Sequence, residues 1–120
     1  FKPIQVREET MNVIVHIDES EKWQTVLSNL KHLVEWYENN DIVGTIELLV
    51  NGGAVQQVVK QSDLQLNTLI SSSVVISVCK NSLDQRHISS TELQDNIVIV
   101  PSGVVELAIK QNEGYGYIKP

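Results

Sequence analysis

The sequence is poor in the residues that most directly announce a function. One cysteine in 120 residues leaves no partner for an internal disulfide and rules out a dithiol redox pair. No apolar run approaches the roughly 18 residues needed to span a membrane. Cations are also scarce: 9 Lys and Arg against 15 Asp and Glu give a net charge of −6, which argues against nucleic acid, because affinity for phosphates comes chiefly from basic side chains. Of the three histidines, His32 and His87 sit on polar stretches with no cysteine or carboxylate at ligand spacing, so no metal site is expected. No repeat, low-complexity tract or linker divides the chain, and no cofactor motif is complete.

What is present fits one ordinary globular domain. With 42% hydrophobic and 20% charged residues, the chain is long enough to bury a real core. The lone thiol and the lack of a secretory apolar segment make a soluble, cytoplasmic protein the expectation. Residues 1–10, "FKPIQVREET", are polar and carry Pro3; they read as an appendage, with Met11 a candidate native start, which leaves residues 11–120 as the domain.

From Met11 onward two kinds of segment alternate. "MNVIVHI", "GTIELLV", "SVVISVC" and "NIVIV" are short, β-branched and nearly continuous in apolar character, the pattern of strands covered on both faces; "YGYIK" is a weaker fifth. Between the first two, Trp23, Val26, Leu27, Leu30, Leu33, Val34 and Tyr37 recur at helical spacing, predicting a helix over 19–39 with Asp18 and Glu21 as its capping pair. Shorter helices are predicted on Val55, Val58 and Val59, on Leu66, Leu69 and Ile70, and from Ser102 to a stop at Gly114. Strands alternating with helices imply parallel pairing and a three-layer α/β/α sandwich with about five strands, in which Val13, Val15, Leu48, Val75, Ile76, Val78 and Ile99 are buried.

In such a sheet, chemistry collects beyond the carboxyl ends of the strands. Four tips follow: "HIDES", "NGGA", "CKNS" and "PSGV". Cys79 stands at the third. A free cysteine often acts only as a small buried hydrophobe. Here a helical turn capped by Asn81 or Ser82, with Lys80 beside it, would lower the thiol pKa and raise the thiolate fraction, so the residues leave both readings open. His16, at the first tip, either orients a ligand or satisfies its ring locally. Asp18 and Glu19 resemble the acidic pair of a phospho-accepting receiver, but the position after the third strand, where a receiver needs aspartate, is Cys79. "VNGGAV" lacks the Lys-Ser/Thr of a P-loop and the third glycine of a dinucleotide fingerprint, which leaves a tight turn near an anion-accepting helix start. Trp36 lies off the apolar stripe of its helix, either at a subunit contact or simply exposed.

Four stretches in this order, "VIVHIDESEKW", "VNGGAV", "VCKNSL" and "VPSGVVELAIKQNEGYGYIKP", resemble the DsrE/DsrF-like family of small sulfur-relay proteins, in its stand-alone, single-domain branch. The resemblance covers residues 11–120. It implies a flavodoxin-like fold, assembly into trimers or hexamers, and a cysteine after a central strand that carries sulfane sulfur as a persulfide. Cys79 matches that cysteine by position. The expectation is a thiol-based sulfur carrier, exchanging with donor and acceptor proteins, in which His16, Asn51, Gly52, Asn81 and Ser82 line the pocket and Trp36, Tyr115 and Tyr117 supply interface aromatics. A non-catalytic oligomeric module binding a small anion or metabolite is the alternative.

Overall fold

The computed structural model describes residues 10–120, so the appendage lies outside the described residues except for Thr10. Each β-branched run forms a strand: β1 (Val13–Ile17), β2 (Ile46–Val50), β3 (Val74–Cys79), β4 (Val98–Val100) and β5 (Gly116–Ile118). They form one sheet in the order β4-β3-β2-β1-β5, and every pairing is parallel. The connecting helices are α1 (Trp23–Asn39), α2 (Asn67–Ser71), α3 (Lys80–Gln85) and α4 (Gly103–Asn112).

The two faces of the sheet are covered unequally. On one, α1, α2, α3 and the turns between them close over the alternate residues Val13, Val15, Ile46, Leu48, Val50, Val74, Ile76 and Val78. Trp23, Val26, Leu30, Val34 and Tyr37 form the buried stripe of α1, as their spacing predicts. Fully burying such side chains is worth about 1.5–3 kcal/mol each, so this face supplies most of the stabilising burial. Among the described residues the other face is covered by α4 alone, with Leu107 packed on Ile14, Leu49 and Val100.

That thin layer corrects one burial expectation, and the edge of the sheet corrects another. Val75 lies on the α4 face, in register with Glu47, but beyond the reach of a ten-residue helix, and it stays 39% exposed. Ile99 belongs to the short edge strand β4 and is 37% exposed. The other five residues expected in the core are buried. Beneath α4 sits Glu47, 2% exposed, with one carboxylate oxygen lacking any hydrogen-bond partner. Burial, reinforced by the neighbouring carboxyl of Glu106 on α4, pushes its pKa from 4.5 up to about 7, against smaller opposing effects of Ser77 and Lys110.

The helix starts also differ from expectation. The stretch after β1 opens as a 3-10 turn, Ser20–Lys22, and becomes α-helical at Trp23. Asp18 caps nothing there; its carboxylate pairs with Lys119 Nζ at 3.2 Å, because β5 lies beside β1 and brings the chain's end to the same edge. "NGGAVQQ" forms a 3-10 helix over Gly52–Gln57 rather than a longer α-helix. Trp23 ties that turn to α1 through its indole N–H, which donates to the Ala54 carbonyl at 3.1 Å.

Candidate functional site

The parallel pairing brings all five strands' carboxyl ends to one edge, and residues from each strand or its following turn meet around Cys79. β3 ends at Cys79, which is itself the N-cap of α3, two or three positions earlier than the expected cap at Asn81 or Ser82. Its sulfur therefore occupies the place where a capping Ser or Asp oxygen would face the first N–H groups of the helix. The neutral thiol makes no cap hydrogen bond of good geometry. A thiolate at this position is a different matter. Burial, at 5% exposure, pushes the Cys79 pKa up, but the Ser82 hydroxyl and the N–H groups of Ser82, Gly103 and Asn81 more than offset it, leaving the thiol below its ordinary value.

Ser82 is held for this task. Buried one turn into α3, its hydroxyl accepts the Gly52 N–H at 2.9 Å, which leaves its own proton free to point at the sulfur. Gly52 takes a left-handed conformation, φ +57°, and a Cβ there would fall 2.8 Å from the Asp18 carbonyl oxygen. Glycine is thus required for the turn that delivers the N–H to Ser82. Asn51, just before it, is fixed to the end of β1 by its N–H, which donates to the Ile17 carbonyl at 3.1 Å.

The start of α4 closes the far side. A Cβ on Gly103 would lie 3.2 Å from Asn51 Nδ2 and 3.3 Å from Cys79 Cβ, so helix, amide and thiol converge on one point that only glycine leaves open. His16, 8% exposed at the end of β1, bonds to Asn51 Oδ1 through Nε2 at 2.8 Å and to the Tyr117 hydroxyl through Nδ1 at 2.7 Å.

The structure thus brings together Cys79, Ser82, Asn51, Gly52 and His16. Asn81 contributes its backbone N–H, while its side chain is exposed. Sequence reasoning missed Gly103, read only as part of a cap motif, and set Tyr117 aside for an interface. The signal for Tyr117 was the fifth strand itself: in register with Ile14, it carries the ring to within reach of His16, two residues further along β1. Among the described residues no group of three or more His, Cys, Asp or Glu is arranged to hold a metal, and no helix is long and apolar enough to cross a membrane.

The same fold occurs in three solved structures. A protein of unknown function, MTH1491 from Methanobacterium thermoautotrophicum, superposes with a TM-score of 0.83 over 92% of this chain and 99% of its own, at 24% identity. YchN from E. coli gives a TM-score of 0.70 over 93% of this chain and 100% of its own, at 20% identity. BT1422 from Bacteroides thetaiotaomicron, a conserved protein of unknown function, gives 0.68 over 91% and 94%, at 15% identity. No curated protein matches the sequence. The sequence profile of the DsrE/DsrF-like family matches residues 37–120, a span that takes in β2 to β5, the Asn51-Gly52 turn, Cys79 and the start of α4. That match spans more than half of the sequence, and the fold agrees with it: this chain belongs to the DsrE/DsrF-like family.

Proposed function

We propose that the protein is a sulfur carrier whose Cys79 holds sulfane sulfur as a persulfide. The observation that carries the proposal is the set of donors around the sulfur: a merely packed cysteine has no need of a hydroxyl and three N–H groups that favour its ionised form against the cost of burial. In loading, the Cys79 thiolate attacks the outer sulfur of a donor persulfide. A new S–S bond forms to Cys79, the donor's own S–S bond breaks, and the donor leaves as a thiolate. Delivery is the same exchange in reverse, with an acceptor thiolate attacking the outer sulfur and Cys79 leaving. No net oxidation occurs, and with no second cysteine in the chain the acceptor is another molecule. A reducing, cytoplasmic setting belongs to the proposal.

Assembly into a homo-oligomer, a trimer or hexamer, is part of the same reading. Its support is the thinly covered α4 side of the sheet, where Val75, Val98, Val104, Val105 and Ile109 are 39–69% exposed. Of the aromatics expected at an interface, Trp36 and Tyr117 are 45% and 41% exposed, the Tyr117 hydroxyl being bonded to His16, whereas Tyr115 is half-buried beside Lys110.

Incubation with a cysteine desulfurase and cysteine tests the carrier role: intact mass should rise by one sulfur atom in wild type and not in Cys79→Ser. The 5% exposure of Cys79 favours the competing reading, a non-catalytic module that binds a small anion or metabolite at the strand tips. A native protein that resists both sulfur loading and iodoacetamide until unfolded would establish that reading instead.

A further inference from the structure

The hydrogen-bond order in the Tyr117–His16–Asn51 chain is fixed by chemistry. An amide oxygen only accepts, so the 2.8 Å contact between His16 Nε2 and Asn51 Oδ1 places the ring proton on Nε2. Nδ1 of the neutral ring is then the acceptor, and the Tyr117 hydroxyl, 2.7 Å away, donates to it. With Oδ1 engaged, the Asn51 amide has one orientation left, and its Nδ2 is turned toward the vacant Cβ position of Gly103, where Cys79 Cβ also converges. An added sulfur lies a further bond of about 2 Å from the thiol sulfur, beyond the donors that serve the thiolate, and needs a donor of its own.

Resting on the carrier role proposed above, the geometry points to Tyr117 as a positioning residue. Its hydroxyl, donating to Nδ1, fixes the orientation of the His16 ring, and the Nε2–H of that ring in turn holds Asn51 so that the side-chain N–H₂ faces the outer sulfur of a Cys79 persulfide. Tyr117 touches neither sulfur. Its position in β5, 101 residues from His16 in sequence, makes the last strand of the sheet part of the site. The Asn51 amide is a neutral donor, suited to an anion that must later depart.

The test separates this inference from the carrier role. Ring-nitrogen NMR of His16 in the unloaded protein should show Nδ1 as a hydrogen-bonded acceptor in wild type and its resonance moved to that of an unbonded ring nitrogen in Tyr117→Phe. An unchanged Nδ1 resonance in Tyr117→Phe overturns the inference whether or not Cys79 carries sulfur. Inorganic polysulfide then loads Cys79 without a protein donor, the thiolate taking the terminal sulfur while the shortened polysulfide leaves. The persulfide in Asn51→Ala and in Tyr117→Phe should react with iodoacetamide along a pH profile moved to higher pH, about tenfold slower on its acidic limb, the scale of one lost hydrogen bond to a charged group. The unloaded thiol should keep its wild-type profile in Tyr117→Phe. The double variant should match Asn51→Ala, because the two residues act through one amide. Additive effects, or a shift in the unloaded thiol equal to that of the persulfide, would refute the positioning role. Failure of wild type to load would refute the carrier role, and this inference with it.

Discussion

The Gly52 N–H donates to Ser82 Oγ at 2.9 Å, joining the glycine turn after β2 to the first turn of α3 after β3. This bond orients the hydroxyl that lowers the Cys79 pKa. Ser82→Ala removes both the tie and the donor. The iodoacetamide rate of Cys79 should then shift to higher pH, with a stability loss of about 1 kcal/mol in urea denaturation. A variant with wild-type thiol reactivity would show that the N–H groups alone tune the sulfur.

Gly103→Ala inserts a methyl 3.2–3.3 Å from Asn51 and Cys79, closer than most real contacts but within reach of a small shift. The fold should survive with a change in melting temperature of a few degrees. Sulfur loading, which needs that space, should be lost or slowed well beyond what stability accounts for. Undiminished loading would place the outer sulfur elsewhere.

Glu47 makes stability depend on pH. Its native pKa of about 7 exceeds the ordinary 4.5, so between these values the folded protein keeps a proton that the unfolded chain has released. Stability is therefore greatest below the lower value and falls as pH rises through about 7, by on the order of 3 kcal/mol in total. Glu47→Gln should match wild type near pH 5 and exceed it at pH 8 in denaturation midpoint. Parallel pH curves for the two proteins would trace the slope to another group.

Light scattering at micromolar concentration should give a multiple of the monomer mass. Val98→Glu combined with Val105→Glu, both at exposed positions on the α4 side, should reduce it to the monomer without loss of folding, since neither side chain is buried in the protomer. A wild-type monomer would count against assembly, and an unaffected oligomer in the variant would move the interface to another face.

The architecture was readable along the chain because its signals are local. Apolar β-branched runs separated by helical periodicity admit few arrangements other than a parallel sheet with crossover helices. The position of Cys79 at a strand tip followed from the same pattern, and so did the glycine turn after β2. Helix starts were less legible. The Asp18–Glu21 spacing fits a capping box, but the carboxylate of Asp18 is drawn to Lys119, a partner 101 residues away in sequence.

By itself, then, the sequence determined the strand and helix content, the parallel topology and the identity of the thiol, all properties of short segments and their order. Tertiary structure alone decided what surrounds that thiol. Periodicity marks Val75 and Ile99 as fit for burial but does not say what lies over them: α4 is too short to cover Val75, and Ile99 sits on the short edge strand β4. Nor does it say that Glu47 is sealed beneath Glu106 or that Tyr117 meets His16. Those contacts exist because β5 pairs beside β1 and α4 folds back over β2. Strand order across a sheet depends on the free energy of the whole packed layer, not on any window of the chain.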